Sequence, residues 1–362
     1  MFSLRPLLIL MTRIQKDPIR EVYLLFTSLQ FLSMLILTAQ QTGMPFLARS
    51  ASKSSKFLST TSVFMMEVIK SSACTVLILK NCNFNFKECF HKIYRYTWQN
   101  KMETLKVSIP AFVYAVQNNL FYIALANIDA TTYSVTYQLR ILTTAILSVC
   151  LLGKMLSRKQ WFALTISLIG VVMVQMDKSP TNSSGSSGNK LVGIVSVVSM
   201  CWTSAFAGVY FEKILKDPTS DMWVQNLRLS LMTLAFSLAT MIISDGEKIK
   251  QGGLFQGWTD LVWLITILNA FGGLTTSLVI KYADNVKKTY CQTIAIGITA
   301  VISIMIGERV PSAMLALGVS LVIISVYIYT FYPPIKVYTL LENKDKDIEH
   351  LMDYDSDHSS HE

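Results

Sequence analysis

The chain has 362 residues, of which 52% are hydrophobic, with a formal net charge of +9 and a mean hydropathy of +0.43. A soluble domain rarely carries so much apolar surface. The apolar residues also come in blocks of about 20, the length that a helix needs to cross the hydrocarbon core of a bilayer. The sequence has no C-x-x-C motif, and its histidines lie outside the apolar blocks, so it predicts neither a metal site nor a cofactor.

In chain order, ten apolar segments predict membrane-spanning helices. They cover residues 22–39, 59–79, 107–126, 131–152, 161–176, 191–210, 224–243, 261–280, 289–306 and 312–331. Ten spans place both chain ends on the same side of the membrane. Most of the 32 Lys and Arg residues fall on that side, and basic loops stay in the cytosol, so both termini are predicted to be cytosolic.

Part of the sequence recurs at the same place in each half of the chain. Residues Thr144–Gly153 read TAILSVCLLG in the fourth span, and Thr299–Gly307 read TAVISIMIG in the ninth. Small and aliphatic residues recur in any helix bundle, but the shared position favours a true repeat. Because each half has five spans, the second half would insert upside down, an architecture typical of secondary transporters with a site at the repeat interface. The expected fold class is an all-α membrane protein of about ten transmembrane helices in two inverted five-helix repeats.

The predicted domain organisation follows from this repeat. It comprises a cytosolic N-terminus (1–21), a first five-helix repeat (22–176), a non-cytosolic linker (177–190), a second five-helix repeat (191–332) and a disordered, acidic cytosolic tail (333–362). The linker contains an Asn-Ser-Ser sequon at Asn182. The sequence alone leaves glycosylation of that asparagine open.

Four charged residues lie inside the predicted spans and a fifth, Lys281, lies at the end of the eighth; a charge inside a span costs about 2.5–3.5 kcal/mol. Glu67 and Lys70 are spaced i, i+3 and can neutralise each other. That leaves Arg140, Arg228 and Lys281 without an acidic partner inside the predicted spans. Arg228 and Lys281 could extend to an interface, whereas Arg140 lies near the middle of its span. Cations around one cavity would require an anionic ligand, and a nucleotide diphosphate would supply that charge.

Polar residues accompany these cations. Tyr133, Tyr137 and Arg140 are spaced i, i+4, i+7 and therefore share one helix face. Three further polar residues crowd the third span: Tyr114, Asn118 and Asn119. Tyrosine rings can stack on a base, and asparagine amides can bind a base edge or sugar hydroxyls. Interhelical hydrogen bonding remains the alternative use for each of them.

At these residues the chain resembles the Golgi nucleotide-sugar transporters of the UDP-galactose, UDP-N-acetylglucosamine and CMP-sialic acid group, within the drug/metabolite transporter superfamily. The matching stretches are YAVQNNLFYIALANIDATTYSVTYQLRILTTA from Tyr114, FAGVYFEKILK from Phe206, VIKYADN from Val279, LFQGW from Leu254 and the pair Glu67/Lys70. Together they run from the second span to the ninth. They are long and specific, so the resemblance covers most of the chain.

The resemblance implies an antiporter rather than an enzyme. It would move a UDP-sugar, UDP-N-acetylglucosamine and/or UDP-galactose, into the Golgi lumen in exchange for UMP. Carried over by position, the residues expected to line the site are Lys70, Asn118, Asn119, Tyr133, Tyr137, Arg140, Ser204, Asn226 and Lys281. Tyr114 joins them from its place in the third span, with Glu67 as a charge partner.

Two departures from the family leave the sugar open. The family usually has Lys where this chain has Arg140, and Gln near the position of Arg228. RILTTA favours the UDP-sugar branch, with a CMP-sialic acid transporter and a non-transporting regulator of the same fold as alternatives. A membrane-embedded transferase would need paired acids or a histidine, which the spans do not offer. Besides UDP-sugar and UMP, the expected partner is the lipid bilayer and not nucleic acid; a homo-oligomer or an association with Golgi glycosyltransferases stays open.

Overall fold

The computed structural model describes residues 18–54, 57–128, 130–176, 189–217, 220–307 and 310–332. Within these ranges every regular element is helical and no strand occurs. The predictions for most of the N-terminal segment, for Asn182 in the linker and for the acidic tail fall outside the described residues. The all-α fold class is therefore observed for the described part of the chain.

Twelve α-helices make up the described part of the chain. They are α1 (Pro18–Ser54), α2 (Ser59–Asn81), α3 (Phe86–Tyr94), α4 (Lys101–Asn127), α5 (Ala130–Thr136), α6 (Arg140–Leu152), α7 (Arg158–Met176), α8 (Lys190–Leu215), α9 (Met222–Gly252), α10 (Asp260–Tyr282), α11 (Asn285–Met305) and α12 (Ala313–Phe331). A π-helical turn, Arg95–Gln99, links α3 to α4, and a 3₁₀ turn, Tyr137–Leu139, links α5 to α6.

In the described part of the chain, eight helical segments are long and apolar enough to cross a bilayer. They are α2, the segment Thr132–Leu152, α7, α8, α9, α10, α11 and α12. The first and third predicted spans lie within α1 and α4, so the count of ten stays a prediction. Several helices extend beyond the predicted spans: α9 continues past residue 243 to Gly252, because a helix does not have to end where the hydrocarbon ends.

The sequence had indicated one continuous α-helix for the fourth predicted span. The structure shows two helical segments instead. The span is interrupted at Tyr137–Leu139 by the 3₁₀ turn, and α6 starts again at Arg140. Such an interruption changes the i→i−4 hydrogen-bond ladder and often marks a functional position. Hydropathy did not reveal it, because an average over the length of a span does not respond to a turn of three residues.

The segment between the second and third predicted spans is not an irregular loop. It contains α3 and the π-helical turn. Asn85 caps α3 by accepting hydrogen bonds from the backbone N–H groups of Lys87 and Glu88, at 3.2 and 3.3 Å. The helix is too short to cross a membrane and has apolar residues on one face, which hydropathy averaged over a long window conceals.

Two compact units are present, and each draws on both predicted halves of the chain. The first comprises Met1–Leu120 with Phe206–Thr299. In it, α9 packs against α2, and α10 packs against both α1 and α2. Hydroxyl pairs join these helices, for example Ser62 Oγ to Thr266 Oγ1 at 2.8 Å. The inverted-repeat arrangement itself stays a prediction.

The second unit comprises Phe121–Ala205 with Ala300–Glu362. Its main helix pair is α7 with α12, which approach closely at Gly170 and Gly318. A Cβ atom added at either glycine would lie 2.8 Å from the carbonyl oxygen of the other, so only glycine permits this contact. The Gln160 amide adds a hydrogen bond to the Tyr329 carbonyl oxygen at 3.2 Å.

The two repeated stretches end alike in the structure. After α6, Gly153 has φ of 64°, and after α11, Gly307 has φ of 81°. Glycine readily adopts this left-handed conformation, which terminates a helix. The sequence match at Thr144–Gly153 and Thr299–Gly307 is thus accompanied by the same backbone feature.

Candidate functional site

The interrupted helix in the second unit carries an aromatic stack. The rings of Tyr133 and Tyr137 lie 5.6 Å apart with an interplanar angle of 12°. Phe121, on α4, meets Tyr133 edge-on at 5.3 Å. The spacing i, i+4 predicted one shared face, and the rings do stack there. Two parallel rings held at their edge by a third form a rigid apolar surface.

Arg140 extends this stack at the first residue of α6. Its guanidinium carbon lies 4.9 Å from the centroid of the Tyr137 ring, a cation–π contact. Its Nη1 also donates a hydrogen bond of 3.2 Å to the Tyr137 hydroxyl. That hydroxyl in turn donates to Ser204 Oγ on α8, at 3.4 Å. The structure therefore brings together four predicted residues, namely Tyr133, Tyr137, Arg140 and Ser204.

Neighbouring side chains stabilise the turn that interrupts this helix. The Cys201 thiol on α8 lies 3.8 and 3.6 Å from the carbonyl oxygens of Thr136 and Tyr137. The Thr143 hydroxyl is shared between the carbonyl oxygens of Arg140 and Cys201, at 3.1 and 3.2 Å. These contacts join α8 to the turn and to the first residue of α6. They fix the direction in which α6, and with it Arg140, leaves the turn.

A buried ion pair lies in the first unit, on α2. Lys70 Nζ lies 2.7 Å from a carboxylate oxygen of Glu67, at the i, i+3 spacing noted in the sequence. The same carboxylate accepts a hydrogen bond of 2.7 Å from the Thr233 hydroxyl on α9. Gly273 on α10 makes room for the lysine, since a Cβ atom there would lie 3.3 Å from Lys70 Cδ. The pair is compensated inside the protein, so burial does not leave a lone charge.

Asn226 joins two helices of the first unit. Its side-chain oxygen accepts a hydrogen bond of 2.6 Å from Ser277 on α10, and its nitrogen donates to the Met222 carbonyl oxygen at 2.9 Å. The side chain is fully buried. The amide nitrogen thus bonds within α9, and the amide oxygen joins α9 to α10. Binding of a ligand by Asn226 stays a prediction.

Four predicted site residues remain, two with partly buried side chains and two whose side chains are not described. Tyr114 on α4 and Lys281 in the last turn of α10 are partly buried. A lysine in the last turn interacts favourably with the helix dipole. Asn118 and Asn119 lie on α4, but their side chains are outside the described part of the structure.

Arg228, on α9, is used differently from Arg140. Its side chain is 1% exposed, so it does not extend to an interface. Its Nη1 donates to Gln225 Oε1 at 3.0 Å, and its Nη2 donates to the backbone carbonyl oxygen of Tyr96 in the π-helical turn. The residue that departs from the family pattern therefore connects α9 to the segment after α3.

The sequence analysis missed one polar cluster, at the end of α8. Glu212 is fully buried; it accepts a hydrogen bond of 2.7 Å from Lys216 Nζ and one of 3.0 Å from the backbone N–H of Asn285. Lys216 also donates to the carbonyl oxygen of Ala283, at 2.7 Å. The cluster thus joins the FEKILK and KYADN stretches and holds the turn between α10 and α11. An acid at i, i+4 from a lysine beside an apolar block was the available signal.

These groups can recognise a nucleotide in chemical terms. A flat stack of tyrosines presents faces on which a base or ribose packs. A guanidinium beside the stack can donate two parallel hydrogen bonds to phosphate. The hydroxyl of Ser204 adds a polar group beside the stack. No group here is arranged as a nucleophile with an adjacent base.

Comparison with known proteins gives the family. The nucleotide-sugar transporter family model matches residues 26–330. The chain is 39% identical to the UDP-N-acetylglucosamine transporter of Rattus norvegicus over 314 residues, which cover 84% of this chain and 96% of that protein. It is 37% identical to the UDP-galactose translocator of Bos taurus, over 83% of this chain and 78% of that protein.

A more distant relative and a solved structure agree with this. The UDP-N-acetylglucosamine/UDP-N-acetylgalactosamine transporter nstp-4 of Caenorhabditis elegans is 34% identical, over 85% of this chain and 95% of that protein. One protein crystal structure matches with a TM-score of 0.58 at 14% identity, covering 84% of this chain and 96% of that one, which shows a shared fold. The family match spans most of the described helices. This chain is therefore a multi-pass membrane protein of the nucleotide-sugar transporter family.

Proposed function

We propose that this protein exchanges a cytosolic UDP-sugar for UMP across the Golgi membrane by alternating access. One observation carries the proposal: Tyr133, Tyr137 and Arg140 form a ring stack with a guanidinium at its end, on an interrupted membrane helix. A nucleotide matches this arrangement with its base or ribose and its phosphates. We assign no enzymatic step and no cofactor to the chain.

The sugar is proposed from the relatives. UDP-N-acetylglucosamine and UDP-galactose transporters are 37–39% identical to this chain. A shared uridine diphosphate would bind in the same way in both, because the phosphates and the base supply the charge and the flat ring. UDP-N-acetylglucosamine and/or UDP-galactose are therefore the proposed cargo, and CMP-sialic acid is the competing one.

Obligatory exchange follows from the cost of enclosing a cation. When the carrier occludes its site, Arg140 must lose water, which is unfavourable in a low-dielectric interior. The phosphates of a bound nucleotide add negative charge beside the guanidinium and lower this cost. Each 1.4 kcal/mol removed from the barrier raises the rate about tenfold. The loaded carrier should consequently cross the occluded state faster than the empty one.

The test uses purified full-length protein in lipid vesicles. Vesicles preloaded with UMP should take up labelled UDP-N-acetylglucosamine or UDP-galactose at least about tenfold faster than empty vesicles. External UMP should compete, whereas CMP should compete weakly. Equal initial rates in loaded and empty vesicles would rule out obligatory exchange. Uptake of CMP-sialic acid in preference to both UDP-sugars would replace the proposed cargo.

The proposed orientation places both termini in the cytosol and the linker 177–190 in the Golgi lumen. It rests on the distribution of Lys and Arg between the loops. An epitope inserted in the linker should stay inaccessible to antibody when only the plasma membrane is permeabilised, and should become accessible when Golgi membranes are also opened. Staining in the first condition would contradict this orientation.

A further inference from the structure

Helix α3 exposes an aromatic face. The exposed fractions of Phe86, Phe90 and Tyr94 are 74%, 72% and 47%. At 3.6 residues per turn their positions i, i+4 and i+8 fall within an arc of about 80°. The Phe90 and Tyr94 rings are stacked, with centroids 6.4 Å apart. A contiguous apolar patch of this kind normally contacts a partner or a membrane.

The opposite face of α3 holds the helix to the protein. Cys89 is buried and belongs to a cluster with Val224 and Leu227 of α9. Lys92 Nζ lies 2.8 Å from Asp221, whose other carboxylate oxygen caps α9 through the N–H of Trp223 at 3.0 Å. These contacts fix the rotation of α3, so its aromatic face cannot turn inward.

The Lys92–Asp221 ion pair is maintained at neutral pH. Burial favours the neutral carboxyl of Asp221, but the hydrogen bond and charge of Lys92, with the backbone N–H groups of α9, outweigh burial and lower its pKa. The carboxylate therefore stays ionised down to pH values well below neutral. A second connection, from Arg228 to the Tyr96 carbonyl oxygen, holds the turn that follows α3.

The chain enters α3 through a strained turn. Asn83 and Phe84 have φ of 50° and 59°, in the left-handed region. This conformation is uncommon outside glycine and asparagine and is unfavourable for a phenylalanine. The turn leaves Phe84 65% exposed, and Trp98 after the helix is 67% exposed. These exposed aromatic residues form a band that extends beyond both ends of α3, although the turn at Phe84 is unfavourable. The aromatic band comprises Phe84, Phe86, Phe90, Tyr94 and Trp98.

Position and charge indicate what covers this band. Helix α2, which can span a membrane, ends at Asn81 only five residues before α3 begins, so the band lies close to the membrane surface. Tyr and Trp concentrate at that surface because their rings are apolar with a polar tip, and Phe is common on the apolar face of interfacial helices. Lys87 and Arg95 are exposed beside the band and carry the charge opposite to lipid phosphates.

We propose that residues 82–100 form an interfacial lipid-binding element. The rings of Phe86, Phe90 and Tyr94 enter the boundary between headgroups and acyl chains. Lys87 and Arg95 bind the phosphates of anionic phospholipids in the leaflet on that side. An amphipathic helix with basic residues flanking an aromatic face binds membranes in this way. A bilayer is the occupant because the element is continuous with a membrane-spanning helix and is positively charged.

The first test measures depth in the bilayer. Phe90→Cys and, as the matched control on the opposite face, Glu88→Cys are made in a Cys150→Ser background, because Cys150 is the exposed native thiol among those described. Each full-length protein is labelled with bimane in nanodiscs of phosphatidylcholine and phosphatidylinositol. Lipid-attached nitroxide should quench the label at 90 at least about threefold more than the label at 88. Equal quenching, or stronger quenching at 90 by a water-soluble agent, would overturn the proposal and leave the face to a soluble protein partner.

The second test measures lipid charge. Native mass spectrometry of detergent-purified protein counts the bound phosphatidylinositol at equal total lipid. Each cation removed near an anionic surface lowers affinity roughly fivefold. The double variant Lys87→Gln/Arg95→Gln should therefore bind about 25-fold more weakly, whereas Lys248→Gln/Lys250→Gln, at exposed positions near the end of α9, should bind as the native chain does. Equal loss in both variants, or no loss in either, would contradict the proposal.

Discussion

Arg140 and Arg228 are both arginines in apolar helices, yet their surroundings differ. Arg140 is partly buried and lies over the ring of Tyr137 at the start of a helix. Arg228 is buried in the interior of α9 and donates to a backbone carbonyl oxygen and to Gln225. From the sequence, each was a candidate cation for an anionic ligand, with extension to an interface as the alternative for Arg228. Charge alone therefore does not identify a binding site, because a buried guanidinium can also hold two segments together.

This difference bears on one alternative raised by the sequence. A non-transporting regulator was considered because Arg228 departs from the family pattern. In the structure Arg228 is directed to the turn after α3, and the stack at Tyr133, Tyr137 and Arg140 is complete. The departure at position 228 is therefore accounted for by a contact within the first unit.

The largest effect is expected from Arg140→Ala. Removing a charged partner from a desolvated contact typically costs 2–5 kcal/mol, so uptake of UDP-sugar should fall at least about 30-fold. Thermal stability should change little, because a costly charge is removed from the membrane interior. Arg140→Lys should retain partial uptake, because lysine keeps the positive charge but loses the planar fork. Full uptake by the alanine variant in vesicles would show that Arg140 does not bind phosphate.

A second large effect, on stability, is expected at the buried ion pair of Glu67 and Lys70. Glu67→Gln leaves Lys70 buried without its charge partner, and breaking a buried pair in this way costs about 3–5 kcal/mol. The thermal unfolding midpoint of the purified protein should fall sharply. The double variant Glu67→Gln/Lys70→Met should recover much of the loss, because no buried charge remains. A double variant less stable than Glu67→Gln would show that the pair itself stabilises the fold.

Arg228→Ala should separate the two arginines. It leaves the Tyr96 carbonyl oxygen and Gln225 without their donor, which costs about 1–3 kcal/mol of stability. The unfolding midpoint should fall, while the KM for UDP-sugar should stay within about twofold of the native value. Arg228→Lys is the matched control, as it keeps the charge but loses the planar fork. A KM raised tenfold at unchanged stability would place Arg228 in the binding site instead.

The sequence predicted those features that depend on neighbours along the chain. The α2, α7 and α12 boundaries lie within about three residues of the predicted spans, because uninterrupted apolar runs set them. The stacking of Tyr133 on Tyr137 and the pairing of Glu67 with Lys70 follow from spacings of three and four residues.

Features that depend on distant residues could not be predicted. The acceptor of Arg228 lies 132 positions earlier in the chain, and Glu212 caps a helix 73 residues later. The 3₁₀ turn at Tyr137 depends partly on the Cys201 thiol of another helix. A hydropathy pattern contains no term for such contacts. Helix α3 was missed for another reason, since its apolar residues are periodic but too few to form a span.

The smallest effect, and the finest test of the comparison, is expected from Tyr137→Phe. This variant keeps the ring that stacks on Tyr133 and lies under the Arg140 guanidinium, but it removes the hydroxyl that accepts from Arg140 and donates to Ser204. Of these two hydrogen bonds only the one from Arg140 orients the guanidinium; its loss is worth about 0.5–1.5 kcal/mol, so the KM for UDP-sugar should rise about two- to tenfold.

Tyr137→Leu is the matched control for that substitution, because it removes the ring as well as the hydroxyl. It should lose the cation–π contact and the surface for the base, and its KM should rise further than that of Tyr137→Phe. Both variants should unfold at nearly the native temperature, unlike Arg228→Ala. If phenylalanine and leucine raised the KM equally, the ring would not contribute to binding. Arg140 would then act through its charge alone, and the contrast with Arg228 would rest only on what each guanidinium donates to.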